Sequence, residues 1–272
     1  MTSDPPGSGV RPLPVDVVVP AWGSYVSTLE EAVASVPGTT VYAVVEPADE
    51  GAAAARGCWV VPRPPGGIGP ARNAGAAAGT NPFVLFLDAD DRLLPGALDR
   101  LVDRLRAAPD RCPAVAGELR RRSDGSAWPP RGSAELCCSP GGGPVLLWRN
   151  VLPAVGATLV RRRALPPEGL FPDLEDEDWH AVVRLRSTGR VRLERRPTLD
   201  YQDRAGSVSR RSRDRDALLR SHGRLADAAR HARSAWVWRA ADRLAAPHRR
   251  RNDELLLSRW GETGGLSGPR TR

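Results

Sequence analysis

The chain contains no lysine, so all 40 of its basic residues are arginine, and only 5% of its 272 residues are aromatic. It also lacks any run approaching the ~18 consecutive apolar residues that a membrane-spanning helix needs, so we do not expect an integral membrane protein. The first 14 residues have no basic start followed by an apolar stretch. We therefore expect no secretory signal peptide.

Cysteine is scarce and its spacing is uninformative for metal binding. The four cysteines are Cys58, Cys112, Cys137 and Cys138, and no two of them form a Cys-x-x-Cys pair. No histidine lies at zinc-finger spacing, and the adjacent Cys137 and Cys138 match no redox motif, so we interpret them as packed residues. A reduced, cytoplasmic protein is the resulting expectation.

The positive charge is concentrated at one end of the chain. Residues 204–272 contain 17 arginines and seven acidic residues, whereas residues 1–203 contain 23 arginines and 25 acidic residues. The net charge of +8 is therefore a property of the C-terminal segment and is not evidence for nucleic-acid binding. We expect no nucleic-acid partner, and the basic C-terminal helices are candidates for contact with the inner face of the membrane or with another subunit.

Apolar runs alternate with helical stretches through the first half of the chain. The runs of strand length are Val15–Val19, Thr40–Val45, Cys58–Val61 and Phe83–Leu87, followed later by 156–161, 190–194 and 198–202. The helical stretches begin at Thr28, Pro70 and Leu94, and a later one spans 177–186. This alternation predicts an α/β fold with a mostly parallel central sheet flanked by helices. The arginine- and glycine-rich segment 120–143 is predicted to be a long loop.

The composition also suggests domain limits. Residues 15–210 are expected to form the main domain, and residues 211–260 a helical C-terminal extension with a break near Pro247. The ends, 1–14 and 261–272, are rich in glycine, proline and polar residues and are expected to be disordered.

The strongest chemical feature is Asp88-Ala89-Asp90-Asp91, which directly follows an apolar strand. In an open parallel sheet, ligands bind outside the carboxyl ends of the strands. Carboxylates crowded at such an end repel one another unless a cation is present, and hard divalent cations prefer oxygen ligands. The alternative is a solvated turn whose aspartate caps the next helix.

A glycine-rich loop leads into a helix at Gly66–Gly75. The start of a helix is a natural anion site, and Arg72 within it could hold a diphosphate with two hydrogen bonds. The loop is neither a dinucleotide fingerprint nor a Walker loop, because the glycine spacing differs and no lysine follows. The alternative is an ordinary loop.

An acidic cluster, Asp173-Leu-Glu-Asp-Glu-Asp178, precedes Trp179 and His180. It is either a charged helix start or a site where mutual repulsion raises the pKa of one carboxyl and suits it to act as a general base. We interpret His180 as a surface or packing residue. The histidines of the basic tail, among them His222, are expected to be solvated.

Five motifs then occur in a diagnostic order. They are Val19-Pro20, Ala71-Arg72-Asn73, Leu87–Asp91, Gly169–Asp173 with Glu177-Asp178-Trp179, and Tyr201 with Gly206–Arg210. This succession resembles the inverting glycosyltransferases of family 2, which have the nucleotide-sugar-binding fold called GT-A. The resemblance covers roughly Val15 to Arg210.

The resemblance implies a role for each matching residue. Pro20, Ala21, Trp22 and Glu46 would hold the nucleobase and ribose; Arg72 would contact the diphosphate; Asp88 would face the ribose; Asp90, with Asp88, would ligate Mg²⁺ or Mn²⁺; and Asp178, paired with Glu177, would be the catalytic base. UDP is the implied nucleotide. The family usually has aspartate where this chain has Glu46, and often histidine where it has Arg204. Arginine cannot ligate a metal, but it can neutralise a diphosphate.

The implied activity is transfer of a sugar from a nucleoside diphosphate donor to a hydroxyl acceptor with inversion. Two alternatives remain open. One is nucleotidyl transfer on a similar sheet, and the other is a non-catalytic protein whose basic tail binds an acidic partner.

Overall fold

The computed structural model of the chain describes residues 12–128, 132–152, 155–202 and 215–263. Its strands are β1 (Val15–Pro20), β2 (Thr40–Val45), β3 (Trp59–Pro62), β4 (Phe83–Phe86), β5 (Arg92–Leu93), β6 (Ala114–Arg121), β7 (Ala127–Trp128), β8 (Thr158–Arg161) and β9 (Arg192–Tyr201). Its helices are α1 (Leu29–Ala34), α2 (Glu50–Ala54), α3 (Ile68–Ala78), α4 (Ala97–Arg106), α5 (Ser133–Cys138), α6 (Glu177–Thr188), α7 (Arg215–Gly223) and α8 (Ala235–Thr263).

The strands form a single sheet in the order β3-β2-β1-β4-β8-β6-β9-β5, with β7 paired to β6. The β3-β2-β1-β4 half is parallel, as the strand–helix alternation predicts. Strand β8 is antiparallel to both β4 and β6, so the second half of the sheet is mixed. The α/β fold with a helix-flanked central sheet and C-terminal helices is confirmed.

Strand β1 is buried on both faces, as expected of a central parallel strand. Val17 and Val19 pack into the cluster that includes α1 and α4, whereas Val18 packs into the cluster that includes α3 and α6. Helix α3 lies directly on this second face because Gly75 has no side chain. A Cβ atom there would stand 2.4 Å from a methyl carbon of Val18. This close approach brings the start of α3 to the carboxyl ends of the strands.

The prediction of a long loop over 120–143 is wrong. The segment continues β6 to Arg121, turns into the short strand β7 and then forms α5. The backbone N–H of Gly132 donates to the Glu135 carboxylate at 2.7 Å, which closes the start of α5. The polar and glycine-rich composition of this segment therefore corresponds to a hairpin turn and the start of a helix, and not to one long loop.

The predicted break at Pro247 is also wrong, because α8 continues through the proline. Proline removes one backbone hydrogen bond from a helix, and contacts on both sides of it compensate here. Trp238 and Asp253 are buried, and the buried guanidinium of Arg249 donates to the Leu147 carbonyl and to Asp242. The proposed boundary at residue 210 and most of the two terminal segments lie outside the described residues and stay predictions, although α8 extends to Thr263. No described helix is long and apolar enough to cross a bilayer.

A buried carboxylate joins β1 to the segment after β8. Asp16 is fully buried and accepts hydrogen bonds from the backbone N–H and side-chain amide of Asn81, at 2.8 and 2.7 Å. Its second contact is an ion pair with Arg162, in which Nη2 lies 2.6 Å from Oδ2. A charge removed from water in this way needs all of its partners.

Asp16→Asn should lower the free energy of unfolding by about 3–5 kcal/mol, because the Arg162 guanidinium loses its ion pair. Urea unfolding followed by circular dichroism measures the change. Asp110→Asn is the control, since Asp110 pairs with Arg163 at the surface with 89% of its side chain exposed. Equal urea midpoints for the two variants would contradict the prediction that the buried Asp16 carboxylate stabilises the fold.

Candidate active site

A cavity of about 1440 Å³ opens where the parallel strands end. Pro20, which ends β1, and Trp22, which follows it, form one part of its wall, and Asp88 and Asp90, which follow β4, form another. The acidic segment 173–178 closes a third side as it enters α6. Three segments far apart in sequence therefore meet at the edge of the sheet where ligands bind in open α/β folds.

Arg72 is the electrostatic centre of this cavity. The residue is 3% exposed, and its Nη2 and Nη1 donate to Asp88 at 2.6 Å and to Glu177 at 2.5 Å. Burial acts to lower the pKa of Arg72, but the charges of Asp88 and Glu177 outweigh it and raise that pKa above its usual value. The guanidinium therefore stays charged and ties the end of β4 to the first turn of α6.

Asp178 has the properties of a proton acceptor. It is half-buried in the cavity wall, and one of its carboxylate oxygens accepts the Trp179 backbone N–H at 2.7 Å. Desolvation, followed by the charges of Glu177 and Asp176, raises the pKa of Asp178 to about 7, against the opposing effect of Arg72. At neutral pH, therefore, Asp178 exchanges readily between its two protonation states, as a general base must.

Asn73, the neighbour of Arg72, holds the segment that precedes the acidic cluster. Its side-chain amide donates to the Phe171 carbonyl at 2.7 Å, and its Oδ1 accepts the backbone N–H groups of Leu170 and Phe171. Gly169 adopts a φ of 92°, where a Cβ atom would lie 2.5 Å from the Asn73 amide. Consecutive side chains of α3 thus position both the segment 169–171 and the start of α6.

The glycine-rich loop is already bound to a carboxylate. The backbone N–H of Gly67 donates to Asp173 Oδ1 at 2.9 Å. The start of α3 therefore does attract an anionic group, as predicted from the sequence, but in this structure that group is a side chain of the chain itself.

The predicted nucleobase residues divide into two groups. Pro20 and Trp22 line the cavity, whereas Ala21 is buried and Glu46 lies outside the lining. Glu46 forms an ion pair with Arg63 at 2.5 Å, and the Arg63 guanidinium lies 4.1 Å from the centre of the Trp22 ring. Sequence reasoning missed Arg63, although its position directly after β3 matches that of Trp22 after β1.

The aspartates after β4 point in different directions. Asp88 and Asp90 line the cavity, whereas Asp91 is 2% exposed and accepts the Gln202 backbone N–H at 2.9 Å. Burial, reinforced by the charge of Asp88, raises the pKa of Asp91 well above its usual range. Asp91 therefore fixes the end of β9, and Asp88 and Asp90 remain the candidates for a cation.

The carboxylates of Asp88 and Asp90 fit a divalent cation whose remaining ligands come from the substrate. Among the described residues, no cluster of three or more metal-ligating side chains exists. One oxygen of Asp88 is engaged by Arg72. Mg²⁺ is commonly held by one or two carboxylates together with substrate phosphates, and this donor set matches that pattern. Arg204, the remaining predicted contact, lies outside the described residues.

His222 is the main residue that the sequence misplaced. The prediction that it is solvated is wrong: it is 6% exposed, and its Nε2 and Nδ1 lie 2.9 Å from Asp176 and Asp253. Burial acts to lower the pKa of His222, but the two carboxylates outweigh it and raise that pKa to about 8. The ring also packs edge-on against Trp179, with 4.8 Å between ring centres. His222 thereby joins α7, α8 and Asp176, the residue that precedes α6.

His180 is a packing residue, as expected. It is buried, and its Nε2 lies 3.0 Å from the Ser221 hydroxyl. Burial is the main cause that lowers the pKa of His180 to about 4, so the ring is neutral at physiological pH.

Comparisons with known proteins agree with this geometry. Residues 41–166, just under half of the chain, match the family described as Glycosyl transferase family 2. Staphylococcus aureus TarS 1-349, solved in complex with UDP-GlcNAc, superposes with a TM-score of 0.63 at 16% identity, over 86% of this chain and 71% of that one. No curated protein sequence matches the chain significantly.

Two further solved structures share the fold. The mannosyltransferase PcManGT from Pyrobaculum calidifontis, in complex with GDP-Man and Mn²⁺, superposes with a TM-score of 0.56 at 18% identity, covering 96% of this chain and 77% of that one. The mannosyl-3-phosphoglycerate synthase from Rubrobacter xylanophilus gives 0.51 at 18% identity, covering 79% and 72%.

The fold is that of the GT-A glycosyltransferases, with a carboxylate-lined cavity at the strand ends. Together with the match over residues 41–166, it supports an enzyme of the glycosyltransferase kind, and the predicted resemblance to family 2 glycosyltransferases is confirmed over those residues.

The His222 contacts predict a pH-dependent stability. Because the pKa of His222 is about 8 in the folded chain and ordinarily 6.5, its stabilisation is complete below about pH 6.5 and is lost as the pH rises through 8. The full effect is about 2 kcal/mol. His222→Gln should therefore lower the free energy of unfolding more at about pH 6 than at about pH 9, measured in urea. His248→Gln, at an exposed position, is the control and should leave the pH dependence of the free energy of unfolding unchanged. The same pH dependence in His222→Gln as in the wild type would contradict the role assigned to His222.

Proposed function

We propose that this enzyme transfers a sugar from a nucleoside diphosphate donor, UDP being the preferred nucleotide, to an acceptor hydroxyl with inversion at the anomeric carbon. The observation that carries the proposal is that Asp178, a carboxyl with a pKa near 7, lines the same cavity as Asp88 and Asp90. An inverting transfer needs both a base for the acceptor and charge stabilisation for the leaving diphosphate.

On the donor side, the nucleobase would stack at Trp22. The Arg63 guanidinium already covers one face of that ring and is held by Glu46. Asp88 would face the ribose, and Arg72 keeps its carboxylate in place. A direct contact of Arg72 with the diphosphate stays a prediction, since both of its Nη groups donate to carboxylates in this structure.

On the acceptor side, Asp178 accepts the hydroxyl proton as the hydroxyl oxygen forms its bond to the anomeric carbon. The bond between that carbon and the diphosphate breaks, and its electron pair leaves with the nucleoside diphosphate. Glu177 positions the start of α6 through Arg72 and does not itself need to accept the proton.

Asp90, with Asp88, would hold Mg²⁺ or Mn²⁺. When bound, such a cation offsets the negative charge that develops on the diphosphate. Support comes from the donor set of this cavity and from the Mn²⁺ present in the PcManGT complex. Free nucleoside diphosphate as the product, without pyrophosphate, distinguishes this reaction from nucleotidyl transfer.

Asp178→Asn should reduce kcat by about 10²–10⁴ while nucleotide affinity stays unchanged, because the amide cannot accept the proton. Release of nucleoside diphosphate from a nucleotide sugar measures the rate. In the wild type, kcat/KM should rise as the pH increases through about 7, the pKa of Asp178, and this step should vanish in the variant. If Glu177→Gln loses the pH step and Asp178→Asn keeps it, the base is Glu177.

Asp90→Ala should abolish the metal-dependent part of nucleoside diphosphate binding, because the cation loses a hard oxygen ligand. Calorimetric titration with UDP, with and without Mn²⁺, measures that part. Asp103→Ala removes an exposed carboxylate of α4 outside the cavity and should behave as the wild type. A wild-type response to Mn²⁺ in Asp90→Ala would contradict the proposed ligand.

A further inference from the structure

The C-terminal helices contribute a positively charged wall to the active-site cavity. Arg220 and Arg224, at and after the end of α7, and Arg250 of α8 line the cavity with exposed side chains. We call these three residues the arginine wall. Among the described residues, Glu254 is the one acidic residue that these helices add to the lining. The rest of the described lining carries seven carboxylates and Arg72, so acidic and basic segments both line the cavity.

The arginine wall is available to bind a ligand. Arg220 and Arg250 form no ion pair with another described residue, and Arg224 makes one long contact, 3.5 Å from Nε to Asp227. Both partners of that contact are about 60% exposed, so the pair is weak and can be exchanged for a ligand.

The cavity has room for a second molecule beside the donor. Its volume of about 1440 Å³ exceeds the roughly 300–1000 Å³ of a typical small-molecule site. The proposed donor contacts, Trp22 and Asp88, lie at the ends of β1 and β4. In this arrangement the space toward the C-terminal helices is left for the acceptor.

The arginine wall is also linked to the segment that carries the proposed base. His222 of α7 lies between Asp176 and Asp253 of α8, and Asp176 is two residues before Asp178. The Ser221 hydroxyl donates to the Glu175 carbonyl as a second link between α7 and this segment. An acceptor whose hydroxyl reaches Asp178 would therefore have the arginine wall beside it.

We propose that the arginine wall binds the acceptor, and that the acceptor carries a phosphate group near the hydroxyl that receives the sugar. This inference rests on the proposed function. A neutral acceptor would leave three exposed guanidinium groups without a role, whereas phosphate matches the paired N–H donors of arginine. The carboxylates that line the rest of the cavity repel such an anion, so its phosphate is oriented toward the arginine wall.

The test titrates the full chain, saturated with UDP and Mg²⁺, with glycerol 3-phosphate and with uncharged glycerol in a calorimeter. We expect binding of the phosphate ester only. Combined Arg220→Gln, Arg224→Gln and Arg250→Gln should weaken it by about tenfold or more. The matched control combines Arg233→Gln, Arg239→Gln and Arg243→Gln, which remove the same charge from exposed positions outside the cavity lining. The control should bind as the wild type does.

The outcomes separate this inference from the proposed function. A wild-type chain that binds UDP but not glycerol 3-phosphate overturns the inference alone, whereas failure to bind any nucleoside diphosphate overturns the proposed function. Equal weakening in the two triple variants would assign the effect to net charge and overturn the inference. Loss of UDP affinity in the arginine-wall variant would assign these residues to the donor. If the chain binds vesicles that contain anionic phospholipid but not glycerol 3-phosphate, the arginine wall binds a membrane surface, and the inference of a soluble phosphate-bearing acceptor is overturned.

Discussion

The candidate active site depends on one buried cation, the guanidinium of Arg72. A charge that is removed from water must be paired, and Arg72 meets this requirement with Asp88 from the end of β4 and Glu177 from the start of α6. The chain can bury Arg72 only by bringing these two segments together. That requirement places Asp178 beside the cavity and in an environment that keeps its proton exchangeable near neutral pH. Fold and chemistry are linked here through a single side chain.

The uneven distribution of charge along the chain has a spatial counterpart. The body contributes seven carboxylates to the described lining of the cavity, and the arginine-rich C-terminal helices contribute three arginines. The attachment of these helices is itself ionic, because His222 bridges carboxylates of α8 and of the turn before α6. Net charge alone suggested helices that contact a membrane or another subunit. The structure shows that part of this charge lines the cavity.

Local patterns predicted the features that depend on neighbouring residues. Apolar runs predicted the parallel strands, and polar residues at their ends predicted the cavity, since parallel strands end on the same edge. Contacts between distant segments were not predictable in this way. His222 is buried only because Asp176 and Asp253, 46 and 31 residues away, converge on it. In α8, anchoring on both sides of Pro247 outweighs a local signal that normally ends a helix.

The turn that begins α6 places two opposing demands on one residue. Asp176 is the one described non-glycine residue with a positive φ, 51°, a conformation that costs about 1–2 kcal/mol for most side chains. Glycine would adopt it without strain but would remove the carboxylate that binds His222. A β-branched residue would satisfy neither demand. We therefore expect the residues tolerated at this position during evolution to depend on whether a relative has α7. In relatives without that helix glycine is free to appear, and in relatives that retain it the short acidic side chain should persist.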